Sequence, residues 1–126
     1  MPNILLIKSK IGGDSINDKY EKQMKKGILE ILVLKLLEDN EKYGYQLISE
    51  LNDLSDGMFT VKEGTLYPIL YRLEDEELVV NYWSVPEGKE VSKKYYKITD
   101  KGRETLEEAT KLWKTFSKSV NTIIDG

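Results

Sequence analysis

The sequence predicts a mainly α-helical fold that includes one small β-hairpin and ends in a long helix. Three observations lead to this prediction. Before Leu78, apolar residues recur three and four positions apart in three segments, which is the spacing of one face of a helix. After Leu78 the pattern changes to two short runs of β-branched and aromatic residues, which is typical of strands. Beyond Thr99 the helical spacing returns and continues almost to the C-terminus.

The composition excludes several kinds of functional site. The 126 residues, 40% of them hydrophobic and 33% charged, suffice for one globular domain. They include no cysteine and no histidine, which removes disulfides, thiol nucleophiles, thiolate zinc sites and the commonest general base. We therefore predict no catalytic residue, no metal site, no cofactor and no enzymatic activity. The acidic run at residues 74–77 is interpreted as a solvated helix end.

The hydrophobic pattern argues against a membrane-bound or secreted protein. The longest apolar run, residues 28–37, contains Glu30 and Lys35 and is much shorter than the roughly 20 residues that cross a bilayer. The apolar run at residues 4–7 has no preceding positive charge and no small-residue cleavage site, so it fails as a signal peptide. We predict no membrane partner and a cytoplasmic location. Residues 1–16 are interpreted as an N-terminal extension with no assigned function, for which disorder is one expectation.

Two helices are predicted first in the chain. Residues 17–37 begin charged and become apolar almost all round, so the second half of this helix should be buried. A polar break follows, and residues 43–54 resume the helical spacing. Gly44, in the first turn of the second helix, would let another backbone approach closely.

A third helix is predicted in the segment EGTLYPILYRLEDEELV, residues 63–79. At about 100° per residue, four apolar side chains fall on one side and a polar set falls on the other, with Tyr67 at the margin. The inner set is Leu66, Ile69, Leu70 and Leu73, and the outer set is Thr65, Pro68, Tyr71 and Arg72. If Thr65 is the N-cap, Pro68 lies in the first turn where its missing N–H is harmless; if the helix starts near Lys62, a kink is predicted.

The two β-rich runs are joined by PEGKEVSKK, residues 86–94, so they are predicted to form a hairpin with a basic loop and return strand. Three helices followed by a hairpin is the order of elements in a winged helix-turn-helix, here residues 17–99, whose third helix enters the DNA major groove. Hydroxyl, guanidinium and ammonium groups can bond phosphates or base edges. The side chains that offer them are Thr65, Tyr67, Tyr71 and Arg72 on the helix and Lys89, Lys93, Lys94 and Lys97 on the hairpin. For each lysine, a solvated surface role is the alternative.

The last helix is predicted to be capped by Thr99 and to carry a heptad-like apolar seam. The seam consists of Leu106, Ala109, Trp113, Phe116, Val120 and Ile123. It either packs on its own domain or is shared with a second copy of the chain, and we favour a dimerisation helix over residues 100–126. In a symmetric dimer the two Trp113 indoles would lie close enough to hold a flat aromatic effector, with Phe116 extending the wall. The alternative for Trp113 is plain interface core, and Trp83 is interpreted as a packing residue.

Four segments resemble, in order and spacing, the signature segments of the PadR family of transcriptional regulators. They are KGILEILVLKLL, YGYQLISEL, EGTLYPILYRLEDEELV and SKKYYKITDKGRETL, within residues 26–113. The resemblance implies a dimeric winged-helix repressor that binds a pseudo-palindromic DNA operator and releases it when a small molecule binds. The single C-terminal helix resembles the family's short subgroup, which includes multidrug-responsive repressors.

The resemblance also implies roles for individual residues. It places Thr65, Tyr67 and Pro68 at recognition-helix positions, and Lys93 and Lys94 in the basic wing strand. Two departures from the family pattern stand out. Lys62, which we include among the DNA-binding residues, occupies a position where a serine cap is usual. The wing has Val91, Ser92 and Lys93 where Gly and Arg are common, which argues against insertion of arginine into the minor groove.

A second hypothesis belongs to another class of protein. The net charge is −3, and residues 62–87 carry two basic against six acidic side chains. This balance favours a winged-helix module that binds a protein through its tyrosine-rich face, without a small-molecule effector. Residues 88–103, with six basic against two acidic side chains, favour DNA. The two hypotheses differ in salt dependence, since only DNA binding should weaken steeply as salt rises.

Overall fold

The computed structural model describes the backbone of residues 16–126 and the side chains from Asp18 onward. The predicted fold is confirmed: over residues 16–126 the chain forms four helices and a small antiparallel sheet. The elements are α1 (Ile16–Leu37), β1 (Lys42–Tyr43), α2 (Gly44–Leu54), α3 (Glu63–Asp75), β2 (Val79–Trp83), β3 (Lys94–Ile98) and α4 (Asp100–Asp125). The expectation of an N-terminal extension concerns residues outside the described range, apart from Ile16, which opens α1. Within that range no helix is long and apolar enough to cross a membrane.

The sheet has three strands where the sequence indicated a two-stranded hairpin. The strand order is β1-β3-β2, with Tyr43 opposite Tyr95 on one side of β3 and Trp83 opposite Lys94 on the other. Strand β1 is only two residues long and leads directly into α2, so it has no periodicity that could reveal it. Pairing to β3 ties the start of α2 to the hairpin.

The core lies between the four helices and the inner face of the sheet. Its largest fully buried side chains are Tyr96, Leu37, Leu47, Leu66, Leu70, Leu73, Val33 and Val79. The predicted burial of the second half of α1 is confirmed by Leu29, Val33 and Leu37, all inside the core.

Only the beginning of α4 belongs to this core. Thr99 caps the helix as predicted, since its Oγ1 accepts a hydrogen bond from the Gly102 N–H at 2.9 Å. A Cβ at Gly102 would collide with the Leu78 carbonyl oxygen, so glycine allows the first turn to cross this backbone. Leu106, predicted to lie in a dimer seam, is instead 2% exposed and packs in its own core, which corrects that prediction. It lies close to the anchored first turn, where its own chain covers it.

Two local predictions need correction as well. The group that approaches Gly44 is the ring of Tyr67, not another backbone: a Cβ at Gly44 would lie 2.5 Å from the Tyr67 hydroxyl oxygen. Of the two starts considered for α3, the earlier one is right, because Lys62 is the N-cap and has no side-chain capping bond. Pro68 therefore lies inside the helix, where its missing N–H leaves the Gly64 carbonyl without its usual donor.

Candidate nucleic-acid interface

Helix α3 is held by one buried face. Leu66, Ile69, Leu70 and Leu73 are all buried, and the helix packs on α1, α2 and β2. Burying four such side chains contributes several kcal/mol, at about 1.5–3 kcal/mol each before the entropy of ordering is subtracted. This buried face fixes which residues point outward, because a rotation of α3 that buried its polar face would expose the four apolar side chains.

The outward face presents the residues that the sequence analysis placed there. Thr65, Pro68, Tyr71 and Arg72 are exposed, and Lys62 is exposed at the N-cap. Tyr67 is half-buried, because its ring lies against Gly44 at the start of α2. Burial raises the pKa of the Tyr67 hydroxyl, and the nearby Glu63 carboxylate and Tyr71 raise it further, so the group stays a neutral donor. Its position at the edge of α3 separates it from the centre of the exposed face.

Arg72 is exposed but has a partner in its own chain. Its Nε donates a hydrogen bond to the Glu30 carboxylate of α1 at 2.8 Å. Both side chains remain partly exposed to solvent, so the ion pair is weak, typically less than about 1 kcal/mol. A phosphate contact by Arg72 would have to compete with Glu30.

The wing, which consists of β2, β3 and the loop between them, lies beside α3 and adds a cation to its outward face. The Lys94 Nζ lies 5.7 Å from the centre of the Tyr71 ring and 5.5 Å from that of Tyr96. Lys93, the preceding residue, lies over Tyr43 at 4.9 Å, on the other side of the sheet, as alternation along a strand requires. Lys89 is exposed in the loop. The structure thus brings Tyr71 and Lys94 together, while Lys93 lies on the other side of the sheet.

Beneath this surface lies Tyr96, whose buried hydroxyl could not be identified from the sequence. The side chain is fully buried, and within residues 18–126 its hydroxyl has no hydrogen-bond partner. Burial raises its pKa strongly, with a further contribution from the Glu74 carboxylate. Glu74 itself accepts a hydrogen bond from Asn81 of β2, so the first residue of the acidic run 74–77 joins α3 to the sheet. This contradicts the interpretation of that residue as part of a purely solvated helix end.

A second surface lies along α4. Beyond Leu106 the apolar seam emerges from the core: Ala109 is half-buried, Trp113 is 45% exposed and Ile123 is 81% exposed. Phe116 and Val120 are exposed as well, and the rings of Trp113 and Phe116 lie 6.2 Å apart. Within residues 18–126, the chain covers Ala109 and Trp113 only in part and leaves Phe116, Val120 and Ile123 exposed.

Trp113 also borders an apolar cleft of about 470 Å³ between α1, the loop after α2 and α4. The residues lining the cleft are Glu21, Met24, Lys25, Ile28, Ile31, Leu32, Lys35, Met58, Phe59, Thr110 and Trp113. Phe116, predicted to contribute to an effector site, contacts Trp113 but does not line this cleft. Met58 and Phe59 were missed because the sequence there indicates only a turn, and no signal in it shows that the turn folds back towards α1.

Comparisons with known proteins bear on these two surfaces. The model of the Transcriptional regulator PadR-like family matches residues 33–108. The chain is similar to uncharacterised protein X of Lysinibacillus sphaericus, 31% identical over 102 residues, covering 80% of this chain and 92% of that protein. It is 28% identical over 81 residues to the Negative transcriptional regulator PadR of Bacillus subtilis, covering 64% of this chain and 44% of that protein. A crystal structure of a PadR-like transcriptional regulator from Bacillus cereus is 39% identical, with a TM-score of 0.71, and the match covers 82% of this chain and 98% of that one.

Proposed function

The chain belongs to the PadR-like family of transcriptional regulators, a DNA-binding winged-helix family, and we propose that it is a dimeric repressor released from its operator by a small aromatic or amphipathic effector. The observation that carries this proposal is the outward face of α3, where the half-buried Lys94 lies beside the exposed Tyr71. The similar protein of B. subtilis is described as a negative regulator, which supports repression. Binding to DNA would place the protein in the cytoplasm.

The DNA contact proceeds from α3 and the wing together. With α3 in the major groove, the hydroxyls of Thr65 and Tyr71 reach base edges or phosphates. Lys62 and Lys94 flank that face and neutralise phosphates, and each neutralised phosphate gives affinity by releasing counterions. Pro68 on the same face presents a flat, donor-free surface to the groove. Arg72 joins the contact when it leaves Glu30.

The dimer forms through the exposed part of α4. Trp113, Phe116, Val120 and Ile123 supply an apolar stripe on one helix, and a second copy of that helix is the occupant whose pattern matches it. A two-fold axis then relates the two α3 helices, which is the symmetry needed to read a pseudo-palindromic operator.

The effector acts at the cleft beside Trp113. The cleft has the size and apolar lining of a small-molecule site, and an indole can stack on a planar ligand. Because α1 and α4 both line the cleft, a ligand bound there changes the position of α4 and with it the spacing of the α3 helices. Release follows if the ligand binds the altered dimer more tightly than the operator-bound dimer.

The DNA step is tested with an electrophoretic shift of promoter DNA from upstream of the protein's own gene. Lys94→Ala should weaken binding and reduce the slope of log affinity against log salt by about one. Lys118→Ala, on the distal part of α4, is the matched control and should leave that slope unchanged. A protein that shifts neither this DNA nor a neighbouring promoter at low salt would rule out operator binding.

The effector step is tested by fluorescence of the Trp83→Phe variant, whose only indole is Trp113. Planar aromatic compounds should quench it and should weaken operator binding over the same concentration range. The Trp113→Phe variant, which keeps Trp83, should not respond to these compounds. An operator affinity that stays constant at saturating ligand would show that release is not part of the mechanism.

The second candidate is a winged-helix module that binds a protein without an effector. Two observations favour it: residues 62–87 are acidic on balance, and the Arg72 guanidinium is already paired with Glu30. Its binding should change little between low and physiological salt, because an apolar contact releases few counterions. Salt dependence of the interaction therefore separates the two functions.

A further inference from the structure

The wing carries an exposed indole that the fold does not use. The sequence predicts that Trp83, at the end of β2, is a packing residue, but its side chain is 63% exposed. Val85 and Val91, in the loop that follows, are exposed as well. A single exposed apolar side chain is ordinary, but three at one end of a hairpin form a surface that indicates a partner.

The register of the sheet fixes the direction of this indole. Side chains alternate along β2, and two residues before Trp83 the Asn81 amide donates to Glu74 of α3. Trp83 therefore lies on the α3 side of the sheet. Its cross-strand partner is Lys94, whose Nζ lies 5.7 Å from the Tyr71 ring. Tyr71, Lys94 and Trp83 thus form one continuous row from α3 to the end of the wing, which we call the Trp83 row.

The charge of the wing explains why an apolar contact is needed there. The loop at residues 84–92 contains Glu87, Lys89 and Glu90 and no arginine, so its net charge is −1. Such a loop cannot enter a narrow minor groove by means of cations. On the α3 side of the wing, the cation adjacent to the loop is Lys94 at the start of β3. Affinity at this point must come from an aromatic or apolar contact, and Trp83 offers both a large apolar body and an N–H donor.

We propose that Trp83 is a DNA-contacting residue that packs its indole against the sugar-phosphate backbone beside the groove occupied by α3. This inference rests on the proposed function, because it requires α3 to lie in the major groove. The indole covers a deoxyribose, its Nε1–H donates to a phosphate oxygen, and Lys94 neutralises the adjacent phosphate. The contact is independent of base sequence, so it adds affinity at every site without adding specificity.

The test uses the full-length Trp113→Phe variant, in which Trp83 is the only indole. Its emission and its quenching by acrylamide are recorded while unlabelled promoter duplex is added. Separately, anisotropy of dye-labelled duplex measures the DNA affinity of the same variant. We expect acrylamide to lose most of its access to Trp83 over the concentration range in which the anisotropy rises. The matched control is Trp83→Phe, whose Trp113 should remain as accessible with DNA as without it.

Affinity provides a second readout. Trp83→Ala should lower DNA affinity about tenfold, the scale of losing one aromatic contact to nucleic acid, and should leave the salt slope unchanged because no charge is removed. Lys94→Ala should make the slope of log affinity against log salt less steep, because it removes a positive charge. Circular dichroism establishes that Trp83→Ala folds, as expected for an exposed position.

The outcomes separate this inference from the function on which it rests. If the duplex binds while Trp83 remains fully open to acrylamide, the inference is wrong and the repressor proposal stands. If Trp83→Ala binds DNA as tightly as the parent chain, the inference is wrong as well. If the parent chain binds no duplex at low salt, both are overturned.

Discussion

Helices α3 and α4 carry the same kind of apolar stripe, but the stripe of α3 is buried and most of the stripe of α4 is exposed. In α3 all four stripe residues are buried, whereas in α4 only Leu106 is, and Ile123 near its end is 81% exposed. The difference determines which face each helix presents to solvent. The buried stripe of α3 orients its polar face outward, towards DNA in our proposal. The stripe of α4 is itself the exposed face, so it is available to a partner chain.

The strongest test of this comparison removes the same kind of side chain from each helix. Leu70→Ala, at a position with no exposed surface, should lower the free energy of unfolding by about 2–5 kcal/mol, because it loses burial and leaves a cavity. Ile123→Ala should change the stability of the domain by less than about 0.5 kcal/mol. Urea unfolding followed by circular dichroism measures both.

Protein concentration gives this experiment a further control. If Ile123 lies in a dimer interface, the small effect of Ile123→Ala should grow as the protein is concentrated, since association stabilises the folded state by mass action. The effect of Leu70→Ala should show no such dependence. Equal losses from the two substitutions at low concentration would contradict the contrast between the helices.

Two glycine substitutions test how tightly Tyr67 of α3 packs against Gly44 of α2. Gly44→Ala would place a Cβ 2.5 Å from the Tyr67 hydroxyl oxygen and 2.9 Å from Cζ, so the ring must move. We expect a loss of about 1–3 kcal/mol in the free energy of unfolding, the usual cost of overpacking. Gly64→Ala, where no atom lies within 4 Å, is the matched control and should be neutral or stabilising. Thermal unfolding compares the two variants. If Gly44→Ala has no effect on stability, the packing of Tyr67 against Gly44 does not stabilise the fold.

Much of the fold follows from the sequence because it is set by short-range pattern. The spacing of Leu66, Ile69, Leu70 and Leu73 predicts both the existence of α3 and its buried face, and the turn residues between two β-rich runs predict the hairpin. Thr99 at the start of a helical pattern predicts a cap, which the structure contains. In each case the residues that decide the outcome are neighbours along the chain.

The features that could not be predicted depend on distant contacts. Arg72 pairs with Glu30, 42 residues earlier, and Tyr67 packs on Gly44. Leu106 and Ile123 belong to the same heptad-like pattern, and only the path of the chain decides which of them is covered. The exposure of Trp83 is of the same kind, since a tryptophan in a strand is usually buried and nothing nearby in the sequence shows that its side chain is left uncovered.

Thr99, the N-cap of α4, contributes to the stability of the domain through two hydrogen bonds. Thr99 accepts a hydrogen bond from the Gly102 N–H and donates one to the Glu77 carbonyl at 2.7 Å, so it joins the start of α4 to the end of α3. Thr99→Ala should cost about 1 kcal/mol of stability, the usual value of an N-cap. Thr115→Ala, on the exposed part of α4, is the control and should be nearly neutral. Thermal unfolding that fails to separate the two would show that the cap contributes little.

The smallest predicted effect concerns the polar face of α3. Glu30→Gln removes the carboxylate that holds Arg72 but keeps the side chain's shape, so the guanidinium becomes available to a phosphate. Exposed ion pairs contribute about 0.2–1 kcal/mol, so DNA affinity should rise about two- to fivefold. The increase should vanish in the Arg72→Gln background, because no guanidinium is then left for the loss of Glu30 to release. Anisotropy of labelled promoter duplex measures all three variants at one salt concentration.

Removing any acidic side chain also reduces general repulsion from DNA, so the control must remove the same charge elsewhere. Glu107→Gln does so on α4, where Glu107 pairs with Lys111 at 3.3 Å. It should leave affinity nearly unchanged, because exposed charges separated by more than about 8–10 Å are largely screened at physiological salt. If Glu30→Gln instead weakens binding, Glu30 orients Arg72 for its phosphate rather than competing with it. The polar face of α3 would then depend on α1 as closely as its apolar face does.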